Sequence, residues 1–249
     1  MVQFCWNNSD QINLMKSNTH IKNRVKVYKK EKNKIYFKKI DLKINKKNFS
    51  LIDLGCAAGS FIKYVNNSKK NENNFFVGVE KESSLIKLSK IKNIKNSKII
   101  KKDFTKKNFK IKKRFDYVTC LGTINLFIDI ENVFKNFFKL CKKNGRIFVY
   151  DIFNKDPINT RLYVNFEGED KKWINQFNCH SEANIKKICK KINPKSKVFF
   201  HEMNFKNLTV KKKNFPNLTS YTQKIRNKVY FVSPYNQILT FKILEIINK

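Results

Sequence analysis

Phe49-Ser50-Leu51-Ile52-Asp53-Leu54-Gly55-Cys56-Ala57-Ala58-Gly59-Ser60-Phe61 is the stretch on which the reading of the fold turns. Phe49, Leu51 and Ile52 read as the end of a buried parallel strand, and Phe61-Ile62-Lys63-Tyr64-Val65 opens a helical pattern. A strand that turns through small residues into a helix builds a nucleotide-type pocket at the carboxyl end of a sheet. Gly55 supplies backbone angles closed to other residues, and Gly59 lets strand and helix approach closely. Ala57 keeps the rim low, so that a ligand can lie against main-chain N–H groups at the helix start.

Spacing decides which ligand. A dinucleotide fingerprint places glycines at relative positions 1, 3 and 6. Counted from Gly55, those positions hold Gly55, Ala57 and Ser60, so a single one matches. The small residues fall instead at Gly55, Ala57 and Gly59, with the acid Asp53 two residues ahead of the first. That arrangement resembles motif I of the class I S-adenosylmethionine-dependent methyltransferases, Asp-Leu-Gly-x-Gly-x-Gly, with Ala57 in place of the middle glycine. The plainer alternative is a strand-to-helix turn of some other nucleotide-binding fold.

Four further segments follow in the order the resemblance implies. Phe75-Phe76-Val77-Gly78-Val79-Glu80 is a second buried strand that ends in an acid 27 residues beyond Asp53. A carboxylate at that tip can accept both ribose hydroxyls of a nucleoside, and the family keeps its ribose-binding acid there. Lys98-Ile99-Ile100-Lys101-Lys102-Asp103-Phe104 is the third strand. The resemblance implies that Asp103 accepts from the adenine amino group and that Phe104 lies against the ring. Arg114 to Gly122 is the fourth strand and carries the family's Phe-Asp-x-Val pattern as Phe115-Asp116-Tyr117-Val118. The resemblance implies that the residues from Cys120 to Asn125, Leu121 among them, pass beneath the methionine half of the cofactor and face the acceptor. Ser83 or Ser84 is expected to cap the helix after the second strand, and Asp129 the one after the fourth. The apolar stripe Val133, Phe134, Phe137, Phe138 and Cys141 fits helical spacing, with Asn144-Gly145 as its left-handed C-cap. Arg146 to Asp151 is the fifth strand.

The expected fold is therefore a Rossmann-like α/β domain, doubly wound around a mostly parallel seven-stranded sheet. The chain reads as one domain: an N-terminal cover over 1–48, a cofactor core over 49–153, a substrate lid over 154–197 inserted after strand five, and C-terminal strands and helix over 198–249. The cover holds one or two helices, with Trp6 and Tyr28 either roofing the pocket or packing in the core. A helix from Ser181 to about Lys191, stopped by Asn193-Pro194, precedes a sixth strand at Val198–Met203. An antiparallel hairpin joins Tyr221–Ile225 to Val229–Val232, and a helix from Gln237 to Ile247 closes the chain.

At 249 residues and 41% hydrophobic, with 23 phenylalanines, the chain can bury one substantial core. No signal-type segment opens it and no run approaches a membrane span, so a soluble cytoplasmic protein is expected. Its six cysteines form no Cys-x-x-Cys pair, and no His/Asp/Glu cluster has ligand spacing, so neither a disulfide framework nor a metal site is expected. The net charge of +35 points toward nucleic acid or another anionic surface. Yet only five of the 54 basic residues are arginine. Lys, Asn, Ile and Phe share AT-rich codons, so genome bias supplies a second explanation. The 19 acids are few on either account.

Methyl transfer from a sulfonium needs alignment above all, and a hydroxyl acceptor gains from a base. His180, in the expected lid, and Asp151, at the tip of strand five, are the candidate bases; His201 is a third. After strand four, Leu121-Gly122-Thr123-Ile124 lacks the Asn/Asp-Pro-Pro-Tyr/Phe motif of amino-methylating nucleic-acid enzymes. Cys120 lacks the Pro-Cys companion of a C5-methylating nucleophile. A small-molecule or glycan acceptor is the preferred reading, helped by the aromatic segment after strand five and by a diffuse resemblance to bacterial methyltransferases of surface-carbohydrate modification. RNA is the second candidate acceptor, and a module that holds cofactor without catalysis the third.

Overall fold

A computed structural model of the chain describes residues 35–165, 173–205, 208–212 and 220–249. Trp6 and Tyr28 lie outside them. The elements that matter are α1 (Ile35–Asp41), β1 (Ser50–Leu54), α2 (Ser60–Lys69), β2 (Phe75–Glu80), α3 (Ser83–Lys87), β3 (Ser97–Lys101), β4 (Phe115–Leu121), α4 (Glu131–Leu140), β5 (Cys141–Asn154), β6 (Thr160–Val164), β7 (Ile174–Ser181), α5 (Glu182–Ile192), β8 (Lys197–Glu202), β9 (Tyr221–Ile225), β10 (Lys228–Val232), β11 (Ile238–Leu239) and β12 (Phe241–Ile247).

Seven strands run in the order β3-β2-β1-β4-β5-β12-β8. The first five are mutually parallel, and β12 is antiparallel to both β5 and β8. This is the doubly wound Rossmann-like sheet expected from the motifs. Alternation along the strands sends side chains to two apolar layers. Ile52 and Leu54 pack with α4 and α5 residues such as Phe134, Phe137, Ile185 and Cys189. Leu51, Phe76 and Phe148 pack on the other face with Phe37 and Ile40 of α1 and Phe61, Ile62 and Val65 of α2.

Three expectations are corrected. The segment from Gln237 to Ile247 is not a helix; Phe241–Ile247 is the strand β12, set between β5 and β8. Buried on both faces, it has no polar alternation to distinguish it from a buried helix. Asn144-Gly145 is not a helix C-cap. Helix α4 ends at Leu140, and the pair sits in an irregularity of β5, where Phe115 faces Cys141 but Tyr117 faces Arg146. Asn144 takes φ +60° there. A Cβ on Gly145 would stand 2.9 Å from the carbonyl oxygens of both Asp116 and Lys142. Finally, neither Ser83 nor Ser84 caps the helix after β2: the cap is Glu82, and that helix spans only Ser83–Lys87.

The region expected to be a lid folds as β6, β7 and α5. β7 pairs antiparallel with β6 and continues the main sheet by pairing parallel with the extended end of β5, through Phe153↔His180 and Asn154↔Ser181. α5 starts as expected, with the Ser181 hydroxyl accepting from the Asn184 N–H at 3.1 Å. The hairpin β9–β10 also forms as expected, but in a separate three-stranded sheet with β11.

Candidate functional site

The carboxyl ends of β1, β2, β3 and β4 lie side by side, with Leu54 opposite Val79, Glu80 opposite Lys101 and Asp53 opposite Thr119. A cavity of about 350 Å³ opens over them. Gly55 and Ala57 form one wall, and Glu80, Glu82 and Leu85 the next. Asp103 and Phe104 stand beyond, and Leu121, Gly122, Thr123, Leu126 and Phe127 close the circuit.

The β1–α2 loop is shaped by main-chain bonds. Gly55 and Cys56 both donate to the Val79 carbonyl, at 2.8 and 3.1 Å, and Gly59 donates to that of Cys56 at 2.8 Å. This tight course puts Gly55 at φ +71°, Ala57 at +50° and Gly59 at +80°. At Gly55 a Cβ would also meet the Thr123 hydroxyl at 2.9 Å, so only glycine lets the loop lie against the turn after β4. Gly122, at φ +75°, is different: a Cβ there meets nothing within 4 Å, because it points into open space on the cavity wall.

Glu80 is 92% hidden, since its exposure is 8%. Its carboxylate is fixed by main-chain donors: Ala57 to Oε2 at 2.9 Å, and Lys81 and Glu82 to Oε1 at 2.8 and 3.0 Å. A carboxylate offers about four acceptor directions, so Oε2 keeps one for a hydroxyl in the cavity. Asp103 folds its Oδ1 back onto the Thr105 N–H and hydroxyl at 3.0 and 2.6 Å. Phe104 is buried edge-on to Phe127, with ring centroids 5.7 Å apart. Its carbonyl accepts from the Asn136 amide at 2.9 Å, which anchors the loop to α4.

Six of the residues expected to hold a cofactor therefore converge on this cavity: Gly55, Ala57, Glu80, Asp103, Phe104 and Leu121. The other two stand behind it. Asp53 is buried and accepts from the Thr119 hydroxyl at 2.6 Å. Gly59 caps α2 where a Cβ would meet Ile91 at 2.9 Å.

The two base candidates do not line the cavity. Asp151 is completely buried. Burial pushes its carboxyl up to about 7, against the N–H groups of Ile152, Asn125, Ile124 and Thr123, which pull the other way. Its Oδ2 accepts from Asn125 at 3.1 Å, so it caps the 3-10 turn Ile124–Leu126. His180 bonds the Phe127 carbonyl through Nε2 at 2.9 Å. Because a carbonyl only accepts, Nε2 carries the proton. Burial holds this imidazole below its ordinary value, so it is the neutral ring that donates. Next to it the Asn178 amide donates to the Asn125 carbonyl at 3.0 Å. Asp151, Asn178 and His180 thus fasten the turn that carries Leu126 and Phe127. His201 is farther away, on β8, bonded to Glu245 at 2.8 Å. Cys56 and Cys120 are buried and their thiols are pushed up by that burial, so neither is an available nucleophile.

Leu85, Leu126, Phe127 and Asn132 also line the cavity and were missed from sequence. For Leu126 and Phe127 the available signal was an apolar pair in the turn that follows the fourth strand. Among the described residues no group of three or more His, Cys, Asp or Glu side chains could hold a metal ion. None of their helices is long and apolar enough to cross a membrane.

A family model described as a methyltransferase domain matches residues 45–215. Comparison with the curated proteins finds no match. Among solved structures, magnesium protoporphyrin IX methyltransferase from Synechocystis PCC 6803, with bound S-adenosylmethionine, is 11% identical at TM-score 0.51, over 98% of this chain and 93% of that one. YcgJ from Bacillus subtilis is 11% identical at TM-score 0.54, over 86% and 97%. Coclaurine N-methyltransferase, bound to N-methylheliamine and S-adenosylhomocysteine, is 14% identical at TM-score 0.53; the match covers 68% of this chain and 49%, about half, of that enzyme.

Proposed function

We propose, for a chain that belongs to the methyltransferase-domain family and takes S-adenosylmethionine as its methyl donor, that the acceptor is a small molecule or sugar-containing compound methylated on oxygen or nitrogen. The donor part of the reading is carried by the convergence of Gly55, Ala57, Glu80, Asp103, Phe104 and Leu121 on one cavity, and its acceptor part by Leu121-Gly122-Thr123-Ile124 after β4, which lacks the motif of amino-methylating nucleic-acid enzymes. Their chemistry fits an adenosine: a carboxylate with an acceptor direction to spare, a second carboxylate, an aromatic edge, and an empty Cβ position at Gly122.

When bound, the donor supplies an electrophilic methyl group on a sulfonium with a good leaving group. In this reading Glu80 accepts from the ribose, Asp103 from the adenine amino group, and Phe104 flanks the ring. Gly55 and Ala57 present main chain to the ligand, while Asp53 and Gly59 shape the loop from behind. Asp151 and His180 act as positioning residues: they hold the turn after β4, and with it one wall of the cavity. The chain reads as a single domain with 1–48 as cover, 49–153 as cofactor core, 154–197 as the part nearest the acceptor, and 198–249 completing the sheet.

RNA is a second acceptor reading, favoured by the presence of Lys81, Lys102, Lys106 and Lys107 on the cavity rim. The test is transfer of radiolabelled methyl from S-adenosylmethionine into a cell extract that is then fractionated and treated with ribonuclease. Label in small-molecule or glycan fractions supports the first reading. Label released by ribonuclease replaces it with the second, and no transfer to any fraction removes both.

A further inference from the structure

Nine of the seventeen residues from Lys98 to Arg114 are basic and one, Asp103, is acidic. The whole chain has 54 basic residues in 249, so the local density is more than double the average and codon bias acting evenly would not produce it. All nine are exposed. Among the described residues none of the nine is in an ion pair. The lysines that do pair lie elsewhere, as in Lys46 and Lys142 on Asp116 or Lys43 on Glu245. The Asp103 carboxylate is turned onto Thr105.

The strip is also held rigid. It begins on β3, the edge strand of the sheet, and continues along the loop to β4. Phe104 and Phe109 are buried in the main core, with Ile111 packed against it. The buried Asn136 amide donates to the carbonyls of Phe104 and Lys106 at 2.9 and 3.0 Å. Apolar residues pin the loop from inside while cations stand outside. The backbone that carries the cations therefore loses little further freedom when the row meets a polyanion, and the ordering cost falls on the side chains alone. Lys102, Lys106 and Lys107 belong both to the strip and to the cavity rim, so the row leads to the mouth of the cavity.

We infer that the strip from Lys98 to Arg114 is a docking surface for the sugar–phosphate backbone of a nucleic acid. Lysine is a point charge for phosphate rather than a reader of bases, so the surface supplies affinity and orientation without sequence preference. The inference stands apart from the acceptor assignment, because binding is read with no cofactor present.

The test uses the full chain and a fluorescein-labelled 20-nucleotide single-stranded RNA, followed by anisotropy between 50 and 200 mM salt. A 20-base-pair DNA duplex runs in parallel to tell which nucleic acid is preferred. Lys98, Lys101, Lys110 and Lys112, which do not line the cavity, are changed to Glu in one variant. A control changes Lys187, Lys195, Lys197 and Lys228, all exposed and outside the strip, so that both variants lose equal charge. The strip variant is expected to bind at least roughly tenfold more weakly. Its log–log salt slope should be shallower by about 3, at about 0.7 per lost phosphate contact on a single strand. The control should stay within about threefold of the parent. Equal weakening in both variants, or no binding of either probe by the parent, overturns the inference. If the Glu variant fails to fold, Gln at the same four positions must reproduce the order.

Discussion

A methyl group separates Ala57 from the glycine that its φ of +50° would suit. A non-glycine residue in the left-handed region is strained by roughly 1 kcal/mol, and nothing in the sequence motif discloses that strain. Ala57→Gly is therefore expected to keep cofactor affinity and to shift stability by no more than about 1 kcal/mol, the relief of strain being set against the greater backbone freedom of glycine when unfolded. Calorimetric titration with S-adenosylhomocysteine, together with urea unfolding, checks both. Loss of affinity would mean that the Ala57 methyl itself touches the ligand. Glu80 and Asp53 belong to the same scale but act differently. Glu80→Ala removes a carboxylate on the cavity wall and should weaken binding at least about tenfold, on the order of 1.4 kcal/mol. Asp53→Ala should weaken it similarly, but by releasing Thr119 and the loop; both variants should lower the unfolding midpoint, because Glu80→Ala also frees the main-chain N–H groups of Ala57, Lys81 and Glu82. Unchanged affinity in both would remove the cofactor assignment. The motif was legible because glycine spacing is a backbone requirement, and backbone requirements are written in residue identity. Which of Asp53 and Glu80 faces the ligand was not, because that depends on the side of the strand each one takes.

At the scale of elements, the turn Ile124–Leu126 is held by groups from two strands, one of them in the region after β5. His180→Phe deletes the donor to the Phe127 carbonyl and should weaken S-adenosylhomocysteine about tenfold. His180→Gln, which keeps an N–H of similar reach, should recover most of it. A base acting on the acceptor would instead leave cofactor affinity untouched in both variants. Asp151 gives a pH signature. Its folded carboxyl is pushed up to about 7, above the ordinary value near 4. Between about pH 4 and 7 the unfolded state loses this proton while the folded state keeps it. The stability contributed by the group is complete below about 4 and is lost as pH rises to 7. Urea unfolding of the parent and Asp151→Asn at pH 5 and pH 8 should show the parent losing ground to the variant as pH rises; a constant gap would contradict the burial argument. The same scale shows what sequence hides. Phe241–Ile247 and the Asn144-Gly145 pair were misread because their partners are distant in sequence. A strand with apolar layers on both faces of its sheet carries no period to read, and a bulge looks like a cap when its facing strand is unknown.

Over the whole molecule, 19 acids stand against 54 basic residues, and several of the acids are shared between cations. Glu245 meets Lys43, Arg146 and His201, and Glu182 meets Lys242 and Lys186. Asp116 is the clearest hub. It lies at the start of β4, accepting from the Ser50 N–H and hydroxyl at 2.9 and 2.8 Å and pairing with Lys46 and Lys142. Burial alone would raise its carboxyl, but the two ammonium groups and the Ser50 donors hold it well below the usual carboxylate range. The sign is thus opposite to that of Asp151: its stability is present above about pH 4 and is lost as pH falls below that. Asp116→Asn leaves the Ser50 donors half-satisfied and sets Lys46 and Lys142 together without a counter-charge. Both lysine side chains are about half exposed, so solvent screens much of that repulsion, and a loss of roughly 2 kcal/mol at pH 7 is expected, mostly from the buried hydrogen bonds. Because the damage lies at the amino ends of β1 and β4, opposite the cavity, cofactor affinity at saturating folded protein should not change. Urea unfolding paired with titration calorimetry separates the two quantities: a stable variant would deny the hub its role in folding, and a folded variant with weakened affinity would show that the two ends of the sheet are coupled.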